Sequence, residues 1–125
     1  MQRSPQSKIR IEAVLAELLD SHGKIGWDGA DAPALAETTI ANVRVFILTL
    51  PPWVPDPEFA VDPDDGAVSI EWYGGHARNF SVSVGQMDRL ACAGIDGTDS
   101  WHGVVHFESG KTPDFVLQSI QRILA

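Results

Sequence analysis

The sequence predicts an α+β fold: two N-terminal helices, an antiparallel meander of about five short strands, and one C-terminal helix, with the helices on one face of the sheet. Three observations carry this. Apolar residues recur at three- and four-residue intervals on both sides of a glycine-rich corner, and again near the C-terminus. Between Phe59 and Glu108 the period changes to alternation, broken by glycine-containing turns. Each alternating segment has one apolar and one polar side, the pattern of a sheet covered on one face and wet on the other.

The first helix is expected from Ser4 to His22, with Ile11, Val14, Leu15, Leu18 and Leu19 on its apolar stripe. Ser4-Pro5 supplies a cap and a first-turn proline, and Gly23 the stop. The second helix starts between Pro33 and Glu37. It places Ile40, Val43, Phe46, Ile47 and Leu50 on one stripe before Pro51-Pro52 ends it. The β-branched content of VRVFILTL also suits a strand, but the spacing favours a helix.

A proline-rich crossing, PPWVPDPE, leads to Phe59 and Val61 and then to a hairpin turn at Asp65-Gly66. Val68, Ile70 and Trp72 then alternate with Ser69, Glu71 and Tyr73. Gly74-Gly75 is read as the next reversal, followed by Phe80, Val82 and Val84 alternating with Ser81 and Ser83. RLACA reads as a short strand, GIDGTDS as a loop, and His102 to Glu108 as the last strand. Thr112-Pro113-Asp114 opens the final helix, with Phe115, Val116, Ile120, Ile123 and Leu124 as its buried stripe.

A chain of 125 residues, 44% of them hydrophobic, fits one domain spanning 1–125. It lacks a run of eighteen apolar residues, and its polar start is unlike a signal peptide, so a cytoplasmic protein without membrane contact is expected. A lone cysteine, Cys92, makes an internal disulfide impossible and reads as a small buried hydrophobe. Nine basic against seventeen acidic residues give a net charge of −8, which repels nucleic acid and complements a basic protein surface. The plainer account of that charge is solubility.

Several chemistries fail on spacing. A nuclease with Glu-x-Lys on a strand needs lysine two residues after the glutamate; Glu71 is followed by Trp72-Tyr73, and Lys111 comes one residue too late after Glu108. DPDDGAVSIE has the composition of a calcium loop, but counted from Asp62 its glycine is fifth and its glutamate tenth, where that loop needs the sixth and twelfth positions. His102 and His106 would share a metal on a helix. On a strand they stand about 13 Å apart, too far for bonds of about 2 Å to one ion. Neither a Gly-x-Ser-x-Gly elbow nor a phosphate-binding glycine loop is present. No metal or cofactor is expected.

In the corner GWDGADAP, Gly26 and Gly29 permit backbone angles closed to other residues, and Asp28 is suited to accept hydrogen bonds from nearby amides. Trp27 is expected to plug the end of the core, and Asp31, near Pro33, to cap or charge-stabilise the start of the second helix. Trp27-Asp28-Gly29, then Ala32-Pro33, a helix ending Leu50-Pro51, and Asp65-Gly66 leading to Ile70-Glu71-Trp72 together resemble a group of small uncharacterised bacterial proteins. The resemblance covers roughly residues 26 to 84 and implies a bacterial or mobile-element origin, with no catalytic residue to carry over. Ala30 stands where that group usually has an aromatic residue.

The function expected is an interaction module that binds and restrains a protein with a basic surface, in the manner of immunity proteins, antitoxins and phage-borne inhibitors. Glu71, Tyr73, Ser81, Ser83, His102 and His106 should project together from the polar sheet face, with Glu108 beside them. Trp53, between prolines, is a second candidate contact; the competing reading has it cover the sheet edge. The alternatives are an ordinary solvated face, a small enzyme or ligand sensor with Glu71 or His106 as base beside Tyr73, and a structural subunit that pairs with itself. Monomer and homodimer both stay open.

Overall fold

A computed structural model describes residues 5–108 and 110–125 of the chain. The elements run α1 (Pro5–His22), α2 (Glu37–Thr49), β1 (Glu58–Val61), β2 (Val68–Gly75), β3 (Arg78–Val84), β4 (Arg89–Asp96), β5 (Asp99–His106) and α3 (Asp114–Leu124). The five strands form one antiparallel meander in the order β1-β2-β3-β4-β5. The Ser4 cap expected for the first helix lies outside the described residues.

The choice between helix and strand for VRVFILTL is settled by burial. As a helix, Ile40, Val43, Phe46, Ile47 and Leu50 all enter the core, while Val45 and Leu48 face outward. A strand would put Phe46 on the side opposite Val43 and Ile47. That would forfeit roughly 1.5–3 kcal/mol of burial for the ring alone.

One face of the sheet, Val68, Ile70, Trp72, Phe80, Val82, Val84, Leu90 and Cys92, is buried and shares a single hydrophobic cluster with residues of all three helices. α3 lies across β2, β3 and β4. Its last turn comes so close to Gly74 that a Cβ there would stand 1.6 Å from the Ile123 carbonyl oxygen. Arg78 of β3 holds the end of this helix, donating to the carbonyl oxygens of Arg122 (2.6 Å) and Ala125 (2.9 Å) and to Asp96 (3.1 Å). Arg122 reaches back to Asp96 and Asp99 and lies over the Trp101 ring, 4.3 Å from its centroid.

Several expected boundaries move. The reversal assigned to Gly74-Gly75 falls at His76-Ala77, because Gly75 pairs with Arg78; Gly74 sits at a register shift in β2. GIDGTDS is not a loop. β4 continues to Asp96 and β5 starts at Asp99, so only Gly97 and Thr98 turn, with Gly97 at φ +66 in the first turn position. β5 accordingly ends at His106, two residues before the expected Glu108.

The Asp65-Gly66 turn is part of a wider loop, 62–67, closed by hydrogen bonds from Asp62 N–H to the Ala67 carbonyl (2.8 Å) and from Gly66 N–H to the Asp62 carbonyl (2.9 Å). In α3, Leu124 is 39% exposed rather than buried, since Ile123 already takes the inward position of the last turn. Thr112 does not cap α3. It is buried, and its hydroxyl lies 2.6 Å from that of Thr49.

The corner between α1 and α2 is tied internally. Trp27 donates its indole N–H to the Pro33 carbonyl (2.9 Å) and stands edge-on to His22, with centroids 4.3 Å apart. Asp28 Oδ1 accepts from the amides of Ala30 (2.9 Å) and Ala32 (3.2 Å), and Gly26 and Gly29 take φ values of +80 and +84. Asp31 is exposed and does not cap α2. The helix begins only at Glu37, with Ala36 in the cap position and no side-chain cap bond.

Candidate functional site

Alternation and register together place the residues of the other sheet face in cross-strand rows. One row runs Glu58, Glu71, Ser81, Ala93, His102; the next runs Ala60, Ser69, Ser83, Ala91, Val104; a third runs Tyr73, Asn79, Ile95, Ser100. Arg89 stands opposite His106. The middle strands offer mostly serine and alanine, so the centre of the face is low, and larger side chains rise at its margins.

At the β1–β2 margin the chemistry is concentrated. Glu71 is half-buried and accepts at both oxygens, from Ser69 Oγ at 3.1 Å and from the Tyr73 hydroxyl in a short hydrogen bond. Tyr73 is 53% exposed. The Glu71 carboxylate holds the Tyr73 phenol above its ordinary range, first by accepting its proton in that hydrogen bond and then by its negative charge. Glu58 faces Glu71 directly across the strand pair. Like charges in that position repel and are destabilising unless a cation meets them. With Pro55 and Leu124 these residues line a shallow depression of about 220 Å³. Asp56, at its rim, pairs with Arg10.

The expected site residues therefore do not form one cluster. Glu71, Tyr73 and Ser81 come together, with Ser83 one row away. His102 shares the row of Glu71 but lies three strands off, about 14 Å at the usual strand spacing. His106 lies at the other end of β5, its Nδ1 3.4 Å from Asp88, and Glu108 is exposed in the segment that follows. Trp53 is 47% exposed in the turn after α2, while its neighbour Val54 is buried in the core.

The separation of Glu71 from both histidines leaves Glu71 without His102 or His106 at the hydrogen-bond distance that proton transfer needs; the imidazole that does meet a carboxylate is His106, beside Asp88. Among the described residues, no group of three or more His, Cys, Asp or Glu side chains is placed to hold a metal ion. Cys92 is buried, and burial pushes its thiol up to about 11, away from nucleophilic use. No helix among the described residues is long and apolar enough to cross a membrane.

Sequence reasoning missed Glu58, although its place in the alternating run EFAV puts it on the same side as Ala60 and hence on the open face. It also missed the exposure of Ile95 and Val104 there. Compared with family models, characterised proteins and solved structures, the chain matches none.

Proposed function

We propose that this chain is a protein-binding module that docks a basic segment of another protein at the β1–β2 margin of its open sheet face and so restrains that partner, as immunity proteins, antitoxins and phage-borne inhibitors restrain theirs. The observation that carries this is the Glu58–Glu71–Tyr73 arrangement. Two facing carboxylates create a local demand for a cation. Ser69 and Tyr73 fix the orientation of one of them before any partner arrives, which lowers the ordering cost of binding. An exposed tyrosine beside them offers a rigid ring with a polar tip, the kind of residue that dominates interface energetics. The excess of acidic residues draws a basic partner in from a distance.

The test is recovery of partners from the native host by the wild-type chain and by a Glu71→Lys, Tyr73→Ala double variant of matched circular dichroism. A protein retained by the first and lost from the second supports docking at this margin. Equal recovery by both removes it.

A further inference from the structure

The two edges of the sheet are built differently. β1 exposes only the four residues Glu58–Val61, carries Glu58, and is flanked by Pro55, Pro57 and Pro63. Shortness, charge and proline are the devices that keep an edge strand from pairing with another chain. β5 is eight residues long, contains no lysine, arginine or proline, and has no strand beyond it among the described residues. Its one carboxylate, Asp99, lies at the end of the strand and is bound by Arg122 at 2.9 Å.

Cover is also incomplete there. Leu90, Cys92 and Gly94 of β4 are buried, whereas the inward residues of β5 opposite them, Val105, Gly103 and Trp101, are only half-buried. On the open side Val104 is 64% exposed.

Backbone directions follow from one bond. Phe107 donates its N–H to the Asp88 carbonyl at 2.7 Å, so Phe107 turns its backbone groups toward β4. In an antiparallel ladder this alternates, so Val105, Gly103 and Trp101 do the same. Ser100, His102, Val104 and His106 then direct their N–H and C=O groups outward, along the open edge.

We propose that β5 is a dimerisation edge on which a second copy of this chain adds its own β5, antiparallel, about a two-fold axis at Gly103, making one continuous sheet. In this register His102 stands opposite Val104 of the second copy and Ser100 opposite His106, so each outward N–H and C=O of these residues meets its complement. Trp101 stands opposite Val105 of the second copy, an aromatic and β-branched pair that covers the half-buried inner side. Asp99 falls opposite Phe107, so carboxylate does not meet carboxylate along the seam, as two copies of a chain carrying −8 require. A two-fold interface of this kind is self-complementary by construction. One strand pair buries less than the roughly 1,200 Å² of a standard interface, so the dimer is weak and reversible. This surface lies on the opposite edge of the sheet from the Glu58–Glu71–Tyr73 margin, and the inference does not depend on the reading of that margin.

The test is sedimentation velocity from micromolar to near-millimolar concentration, with wild type, Val104→Pro and Val104→Lys. Proline at 104 removes an outward donor without touching a bond to β4, and lysine at the same exposed position serves if proline disturbs the fold. Wild type should pass from monomer mass to twice that mass, and either variant should raise the dissociation constant at least about tenfold with unchanged circular dichroism. The register is checked by mixing His102→Cys and Val104→Cys chains under oxygen. Buried Cys92 stays out of the reaction, and a mixed disulfide dimer should exceed both homodimers. Monomer mass throughout, dimers formed equally by both variants, or no preference for the mixed disulfide would each overturn the proposal.

Discussion

Asp28 is the residue whose chemistry is most fully spent on shape. Its carboxylate accepts from the amides of Ala30 and Ala32, and the Ala30 bond is the largest cause holding its pKa below the ordinary 3.8, against a smaller opposing cost of desolvation. A folded value below the unfolded one means that the contribution of Asp28 to stability is fully present above about 3.8 and is lost as pH falls through the folded value. A carboxyl-carbon titration by NMR should therefore place Asp28 below the ordinary aspartate value of 3.8, and Asp28→Asn should flatten the acid limb of the unfolding curve. A normal titration midpoint for Asp28 would show the amide bonds to be absent in solution. The preference of aspartate for its own following amides is local, so this residue was legible in the sequence. Asp31 carries the same side chain three residues on, and proximity to Pro33 was not enough to make it a cap, because the helix begins only at Glu37, with Ala36 in the cap position.

Helices and strands were legible for the same reason, since their periodicity is printed in the order of side chains. The turns were legible only where the glycine serves the turn itself. Gly66 does so, with φ +75 in the loop between β1 and β2, whereas the two-residue turn at Gly97, φ +66 between paired Asp96 and Asp99, was hidden inside a segment read as a loop. Gly74 does not: it is glycine because Ile123, far along the chain, leaves no room for a Cβ, and reading it as turn chemistry displaced the hairpin by two residues. The turn uses Ala77 instead, a non-glycine residue at φ 53. Opposite substitutions follow for the two sites. Gly74→Ala should destabilise by more than about 2 kcal/mol, because backbone must move to admit the methyl group. Ala77→Gly should stabilise by about 1 kcal/mol by relieving the left-handed conformation. Urea unfolding of the two variants decides it, and a neutral Gly74→Ala would mean that α3 does not rest against β2. The ties from Arg78 and Arg122 to Asp96 and Asp99 were not legible, because nothing local links residues on four different elements.

At the scale of the whole molecule, the sheet divides its two sides between different tasks. One side is committed to the core with α1, α2 and α3, and the other presents low serine and alanine positions between a carboxylate-and-tyrosine margin and a bare strand edge. The candidate site was legible in part: Glu71 and Tyr73 stand together because they are two residues apart on one strand, whereas His102 lies three strands away in the meander that the sequence itself predicts, a spacing that sharing one polar face does not reveal. Net charge acts over a longer range than either contact. If the chain docks a basic partner as proposed, the field from −8 would steer that partner before contact and be screened once the Debye length shrinks, from about 10 Å at 0.1 M salt to about 3 Å at 1 M. The close pairing proposed at Glu58, Glu71 and Tyr73 would form only after collision and be screened much less. Binding of the partner captured by the wild-type chain should therefore lose association rate by at least about tenfold between low and high salt, with a much smaller change in dissociation rate. Glu71→Lys should instead raise the dissociation rate at every salt concentration. Stopped-flow or surface-resonance kinetics separate the two, and an association rate flat across salt would show that the acidic excess keeps this chain dispersed without guiding it to a partner.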